Sequence, residues 1–330
     1  MAHLTLSEIY DLSYKHLRRC GASDLQAGPA AESVRDAEAD GIRNVGLNYL
    51  PIYLGHLQHG KLDGNAVPTI LSQEGAVMQV DAAHGFCHTA FAHALPAYAA
   101  MTREMGVAVM SLQRSYSAGV VGWFNNLLAQ EGLVSLMVAN APRSVTPYGG
   151  KGSFFGTNPI GFGAPRPNDP PIVVDMATSA TAKVNVKQAY KEGREIPLGW
   201  AMDSDGNPTT DPKAGLAGGL APLGGAKGFG LGLMVDIMAA GLTGGNWAYN
   251  APMFGNNEGP APNVGQIVIA MSPAKTGGAD YDTRVEDMLG ALEAKEGVRL
   301  PGTRRHTFRT NAEANGIHVP DALIERIEAC

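Results

Sequence analysis

The chain has little that would let it bind by sulfur or by massed charge. Its cysteines, Cys20, Cys87 and Cys330, are too few and too scattered for a disulfide framework or a metal site, a pattern suited to a reducing cytoplasm. Lysine and arginine form no block. Arg18-Arg19 and Arg304-Arg305 are too short to make a basic patch, and the net charge is −6, so neither nucleic acid nor an anionic membrane is expected as a partner. No apolar run reaches the roughly eighteen residues of a membrane-spanning helix. The N-terminus, "MAHLTLSEIYDL", is amphipathic and acidic, unlike a signal peptide.

Glycine is the residue in excess. The chain has 42, clustered between residues 149 and 265, which implies many tight turns and close backbone approaches. With 330 residues, 45% apolar and 17% charged, the chain can bury a large core in two lobes. Thr5 and Glu8 stand in capping-box spacing ahead of a helix that closes near Gly21. Helices are expected over 30–41 and 51–60. From residue 76 strands and helices alternate: "AVMQVDA", "TAFAHALPAYAAMTREMG", "VAVMSL", "AGVVGWFNNLLAQEG", "LVSLMVAN". That alternation gives an α/β class. "PIVVDMA" and "GQIVIAM" read as further strands, while 228–242, 283–297 and 320–329 read as helices; 202–226 reads as an ordered surface loop. The expected division is a helical N-terminal lobe over 1–75, an α/β cofactor- and substrate-binding domain over 76–300, and a C-terminal segment over 301–330 that returns to the first lobe.

"GGAKGFGLG" (224–232) sets glycine amides before an apolar helix, a natural anion site, and Lys227 can add a point charge. It fits neither the Rossmann fingerprint nor a P-loop, since Gly228 follows the lysine. A close-packed glycine turn explains it equally well. "FFGTNPIGFGAP" reads as a series of turns in which Thr157 and Asn158 either contact a ligand or satisfy the turn backbone. Asp175 ends a hydrophobic strand, where ligands of α/β sheets gather and where helix-capping aspartates are also common.

Together these stretches resemble the type-2 malate/L-lactate dehydrogenase family. The resemblance spans almost the whole chain and includes "PYGGKGSFFGTNPIGFGAP", "VVDMATS", "GREIPLGWAMDSDGNPTTDP", "APLGGAKGFGLGLMVDIMAAGLTG" and "LPGTRRHTFRTNAEANGIHVP". It implies a non-Rossmann NAD(P)-binding α/β fold with a helical N-terminal lobe. It also implies a homodimer with its cleft near the subunit boundary, and oxidation of 2-hydroxy acids or reduction of 2-oxo or cyclic imino acids. The implied cofactor is NADPH or NADH, with NADPH ahead. Its contacts would come from Asp175, Met176, Ala177, Thr178 and Ser179, from Ala226, Lys227 and Gly228, and from Gly302, Thr303 and Arg304.

Against the family pattern x-S-H-G-v-x-R-l-P-x-Y, residues 43–53 read "RNVGLNYLPIY". Asn44 replaces the serine, Val45 the catalytic histidine and Tyr49 the substrate-binding arginine. Ser117, in "SYSAGV", replaces a further histidine. A positioned acid or base contributes about 10²–10⁴-fold, and valine supplies none of it. A hydrogen bond to a charged group is worth about 1.5–3 kcal/mol, and tyrosine offers only a neutral donor for a carboxylate. Candidate catalytic residues are therefore Tyr49, Asn44, Ser117, His88 and Asp175; candidate substrate contacts are Tyr49, Asn48, Arg143, Tyr148, Thr157 and Asn158. His84 and His88 flank a glycine turn and are the histidines of interest. His56 and His59 read as a solvated pair, and His3, His16, His306 and His318 as surface groups.

The expected activity is NAD(P)H-dependent reduction of a C=N or C=O bond in a small, non-standard substrate. An iminium substrate brings its own proton and would tolerate the valine. Two alternatives stand beside it: a 2-hydroxy acid dehydrogenase with a relocated acid–base group, and a dinucleotide-binding protein without turnover.

Overall fold

In the computed structural model, which describes residues 1–330, a short strand β1 (Ala2–Leu4) leads into α1 (Leu6–Arg19). The capping box forms: the Glu8 carboxylate accepts the Thr5 N–H at 2.7 Å, and the Thr5 hydroxyl accepts the Glu8 N–H at 3.2 Å. α2 (Asp24–Ala39) starts well before residue 30, because Ser23 caps the Gln26 N–H. α3 (Leu50–Gln58) takes Pro51 in its first turn, where no N–H is needed. These helices enclose a core of Ile9, Leu17, Val34, Leu54 and Ile327.

The α/β part follows in the order β2 (Thr69–Glu74), β3 (Val77–Asp81), α4 (Cys87–Met105), β4 (Val107–Ser115), α5 (Val121–Gln130), β5 (Val134–Ala139), β6 (Ile160–Ala164), β7 (Ile172–Met176) and α6 (Lys183–Lys191). Next come β8 (Ala201–Met202), β9 (Pro208–Thr209), α7 (Pro212–Gly218), β10 (Gly219–Leu220) and α8 (Ala226–Asp236), which continues as a π-helical turn, Ile237–Gly241. β11 (Val264–Met271), α9 (Pro273–Thr276), α10 (Tyr281–Glu293), α11 (Thr303–Asn315), β12 (Ile317–Val319) and α12 (Asp321–Glu328) complete the chain. The seven-stranded sheet has the order β2-β3-β4-β11-β5-β6-β7, and only the β3–β4 pair is parallel. β1 pairs with β12, which returns the chain's end to the N-terminal helices. No helix is long and apolar enough to cross a membrane, and no cluster of His, Cys, Asp and Glu is placed to hold a metal.

α4 and α5 cover one sheet face through Phe91, Tyr98, Trp123 and Phe124, packed on Met110 and Val268. Tyr98 is buried without a polar penalty, since its hydroxyl donates to Ala108 O or Val268 O, each 2.9 Å away. Val235 and Ala239 of the α8 segment pack on the other face, against Val138 and Ile267.

Three expectations from the sequence need correction. The surface loop over 202–226 contains the small sheet β8–β10 together with α7 and the start of α8. The turn series over 154–165 contains β6. Its glycines hid the strand, and they are there because α5 lies almost against the sheet: a Cβ on Gly163 would sit 2.6 Å from Asn125 O, and one on Gly161 2.1 Å from Asn125 Oδ1. His16 is 1% exposed, with neither ring nitrogen hydrogen-bonded, rather than at the surface.

Gly163→Ala should therefore lift α5 from the sheet and lower stability by about 1–3 kcal/mol, the usual range for overpacking. Urea denaturation checks it. Gly132→Ala has open space at the Cβ but a positive φ of 75°, so it measures backbone strain without the clash.

Candidate active site

The turn over 41–49 is built on a buried carboxylate. Glu38 lies beneath it and accepts the Leu47 N–H at 2.8 Å, while burial pushes its carboxyl pKa up. A Cβ on Gly46 would come within 2.4 Å of that carboxylate, so only glycine lets the turn close over it. Asn48 donates to Arg43 O at 3.1 Å and so stabilises the turn itself. Asn44 and Asn48 are exposed; Val45 is half-buried.

Tyr49, last in the turn, lies near Ser117; burial raises its pKa above the usual tyrosine range, and the Ser117 hydroxyl partly offsets this. Ser117 Oγ also accepts the Gly119 N–H at 3.3 Å. Behind Tyr49 the rings of Tyr53, Phe86 and Tyr116 meet edge to face at centroid distances of 5.0 Å (Tyr49–Tyr53), 5.2 Å (Tyr53–Phe86) and 5.8 Å (Tyr53–Tyr116). Tyr49 and Ser117 thus bring two neutral hydroxyls to an aromatic bed.

The 117–122 loop continues to Asp175. Its carboxylate accepts the Gly122 N–H in the first turn of α5 at 3.1 Å and faces Arg305 at 3.7 Å. Burial raises its pKa, while Arg305 and the Gly122 N–H pull it back. Beyond it, Thr178 N donates to Thr157 O at 2.9 Å, Leu223 N to Thr178 O at 2.9 Å, and Ala180 N to Ala221 O at 2.8 Å. The segment after β7 is thereby stitched to the entrance of α8. There Gly224 and Gly225 both take positive φ, 59° and 68°, and Ala226 starts the helix with Ala226 and Lys227 exposed. Tyr148 borders this entrance, 3.3 Å from where a Gly225 Cβ would lie. Gly302, at φ 93°, N-caps α11, and Arg304 stacks on Phe308 at 5.3 Å.

Several candidates lie elsewhere. Asn158 is fully buried beneath α8, donating to Gly232 O at 2.9 Å, and so meets no open cleft. Arg143 is exposed and donates to Tyr249 O at 3.5 Å. His88 is 1% exposed, stacked on Phe124 and set edge-on to Trp123, and burial pushes its pKa down to about 4. The His84 main-chain N–H donates to Arg114 O at 2.7 Å, while its ring Nδ1 is buried without a hydrogen-bond partner. His56 is fully buried rather than solvated, bonded to Tyr116 and to Asn256 O. Two residues escaped the sequence reading. Arg305 was dismissed with its neighbour as a short basic pair. Lys183 follows the strand-end segment by one turn, with its pKa lowered by burial and by Lys187.

The family model described as malate/L-lactate dehydrogenase matches residues 4–328. The chain belongs to that family. The (2R)-3-sulfolactate dehydrogenase (NADP(+)) of Chromohalobacter salexigens is 38% identical over 99% of this chain and 97% of its own length. A Δ1-pyrroline-2-carboxylate/Δ1-piperideine-2-carboxylate reductase of Pseudomonas syringae is 38% identical over 93% of this chain and 90% of its own. The solved structure of Δ1-piperideine-2-carboxylate reductase from the same species superposes with a TM-score of 0.94 at 36% identity, covering 100% of this chain and 99% of that one. The family fold expected from the motifs is the one observed, and the chain is a dehydrogenase/reductase, an NAD(P)-dependent oxidoreductase acting on a small molecule through C=N or C=O chemistry.

His88 leaves a thermodynamic signature. The unfolded imidazole takes its proton near pH 6.5 and the folded one only near pH 4, so the unfolded state binds more protons in between. Its contribution to stability is complete above pH 6.5 and is lost as pH falls through 4, a difference of about 3 kcal/mol. His88→Phe should flatten the fall in stability between pH 7 and pH 4.5 by about 2–3 kcal/mol, read from urea midpoints at the two pH values.

Proposed function

We propose that this chain uses NADPH or NADH to reduce the C=N bond of a small cyclic or N-substituted imino carboxylate, with no protein acid protonating the product. The observation that carries this reading is that Val45 and Tyr49 stand where the family pattern has histidine and arginine, with Ser117 in place of a further histidine.

The dinucleotide fits the chain's own residues. Gly224 has open space where a side chain would project, the first amides of α8 are uncapped, and Lys227 is exposed with no ion pair. In this reading Ala226, Lys227 and Gly228 hold the diphosphate, Asp175 to Ser179 line the nicotinamide half, and Gly302, Thr303 and Arg304 close the other side. The bound cofactor supplies a hydride. The protein binds and orients the substrate and keeps water from it. Hydride addition to an iminium carbon moves the C=N electron pair onto nitrogen and yields a neutral amine, so no proton is demanded. Addition to a ketone leaves an alkoxide that must take one. Tyr49, with its raised pKa, stays protonated across the working range and serves as a hydrogen-bond donor, not a base.

The reading includes a homodimer, for which the exposed Leu233, Met234, Ile237 and Leu242 of the α8 segment offer an apolar face. It also includes a cytoplasmic location without nucleic-acid partners, in keeping with three free cysteines. The three-part division at residues 75 and 300 belongs to the same reading.

Purified protein should bind one reduced cofactor tightly in a fluorescence titration. In a reduction screen, cyclic and N-alkyl imino acids should turn over, while pyruvate and oxaloacetate should not. Tyr49→Phe should lower kcat/KM for the imine about 10–100-fold, the loss of one hydrogen bond to a charged group. Comparable turnover of pyruvate would sink the imine assignment and point to a relocated acid. Failure to bind either cofactor would sink the oxidoreductase reading itself. Separately, Lys227→Met should weaken cofactor binding about tenfold with little change in kcat, measured by the same titration and by steady-state kinetics.

A further inference from the structure

Beside the 44–49 turn lies a pocket of about 230 Å³ between α3, the 254–257 loop and α12. Its polar groups come from Asn48, His56, Asn256, Asn257 and Arg326, its apolar floor includes Phe254, and no Asp or Glu side chain lines it. We propose that this pocket binds a small carboxylate, held by the Arg326 guanidinium and the Asn257 amide, at a site separate from the cofactor cleft.

The pocket is firmly built. Lys61 is 1% exposed, and its ammonium is spent entirely on the 253–258 loop, donating to Met253 O at 2.6 Å, Glu258 O at 2.7 Å and Asn256 O at 3.0 Å. His56 holds the same loop. A carbonyl only accepts, so Nε2 carries the hydrogen given to Asn256 O at 2.8 Å, which leaves Nδ1 to accept from the Tyr116 hydroxyl. Gly55 admits the loop to the helix: a Cβ there would stand 3.0 Å from Asn257 Oδ1. The Lys61 and His56 bonds, with the close approach at Gly55, thus fix the wall against α3, so the polar groups are pre-organised and do not need ordering by the ligand.

Charge and size select the occupant. Arg326 makes a single hydrogen bond, to Asn48 O at 3.3 Å, which leaves most of its planar fork of donors free over the pocket. One cation with no facing acid matches one negative charge, and the volume falls below the roughly 300–1,000 Å³ of drug-sized sites. Tyr116 is the other consequence. It is bonded to the pocket's His56, packs at 5.3 Å on the pocket's Phe254, and directly precedes Ser117. A ligand here rests on the same side chains that set the Ser117 loop.

The inference goes beyond the imine-reductase reading and does not depend on it. Calorimetric titration of the whole protein with sodium acetate and sodium succinate, at constant ionic strength in chloride, tests it. One carboxylate should bind saturably in the wild type and at least tenfold more weakly in Arg326→Met and in Asn257→Leu, while both variants keep wild-type NADPH affinity. No saturable binding, or equal binding by both variants, would overturn the site. Displacement of the carboxylate by sulfate at equal concentration would overturn its chemical assignment.

Discussion

The geometry of the candidate site depends on one half-buried carboxylate, Asp175. It ends the edge strand β7, yet its oxygen meets the first turn of α5 at Gly122, and Arg305 from α11 approaches the same oxygen. Three segments far apart in sequence are set against one another at this point: the strand end, the Ser117 loop and the start of the C-terminal helix. The Gly122 bond at 3.1 Å is the closer contact; Arg305, at 3.7 Å, acts as a nearby charge. Removing either partner would leave a half-buried charge less well compensated, which costs more than losing an exposed ion pair. A second arginine of α11 repeats the device: Arg309 joins Asp40 at 2.7 Å and Asp36 at 3.2 Å, and Asp36 also accepts the Trp123 indole N–H at 2.9 Å. The N-terminal helices, α5 and α11 are thereby registered on each other through carboxylates.

Missing side chains do as much as those present. Gly122 lets Arg305 and Val173 come within 2.8 and 2.9 Å of the space a Cβ would fill. Gly46 does the same for the Glu38 carboxylate, Gly163 for the α5 backbone and Gly55 for the Asn257 amide. At Gly225 the demand is on the backbone, where φ 68° and ψ −120° suit glycine and few other residues. The glycine excess is therefore a record of close approaches, and at Gly46 it explains why the turn keeps its glycine although the chemistry beside it has changed.

The parts of the fold that could be read in the sequence are those specified by local apolar patterns. β3, β4, β5 and β11 are short apolar runs bounded by turns, and each forms where the pattern places it. β6 was hidden because its glycines answer to α5, a helix earlier in the chain. α11, "TRRHTFRTNAEAN", has no apolar stripe to read, being held by the Asp36, Asp40 and Asp175 contacts. The same reason separates the legible and illegible parts of the candidate site. The substitutions at Asn44, Val45 and Tyr49 could be seen by motif register. The burial of His56 and Asn158 could not, because their partners Asn256 and Gly232 lie far along the chain.

Tyr49, Ser117 and His88 do not change charge near neutral pH. Tyr49 is pushed above the ordinary range of a phenol, and Ser117 does not titrate at all. His88, which sequence alone offers as a substitute acid, is held down at about 4 by the aromatic rings around it, and protonating it would place a cation in the core. Asp175 is occupied as a junction between segments. General acid–base catalysis works best when a group's pKa lies near the operating pH, and Tyr49, Ser117 and His88 do not meet that condition. On the reading proposed above, such a site suits a reaction in which the transferred hydride completes a neutral product, as it does on an iminium.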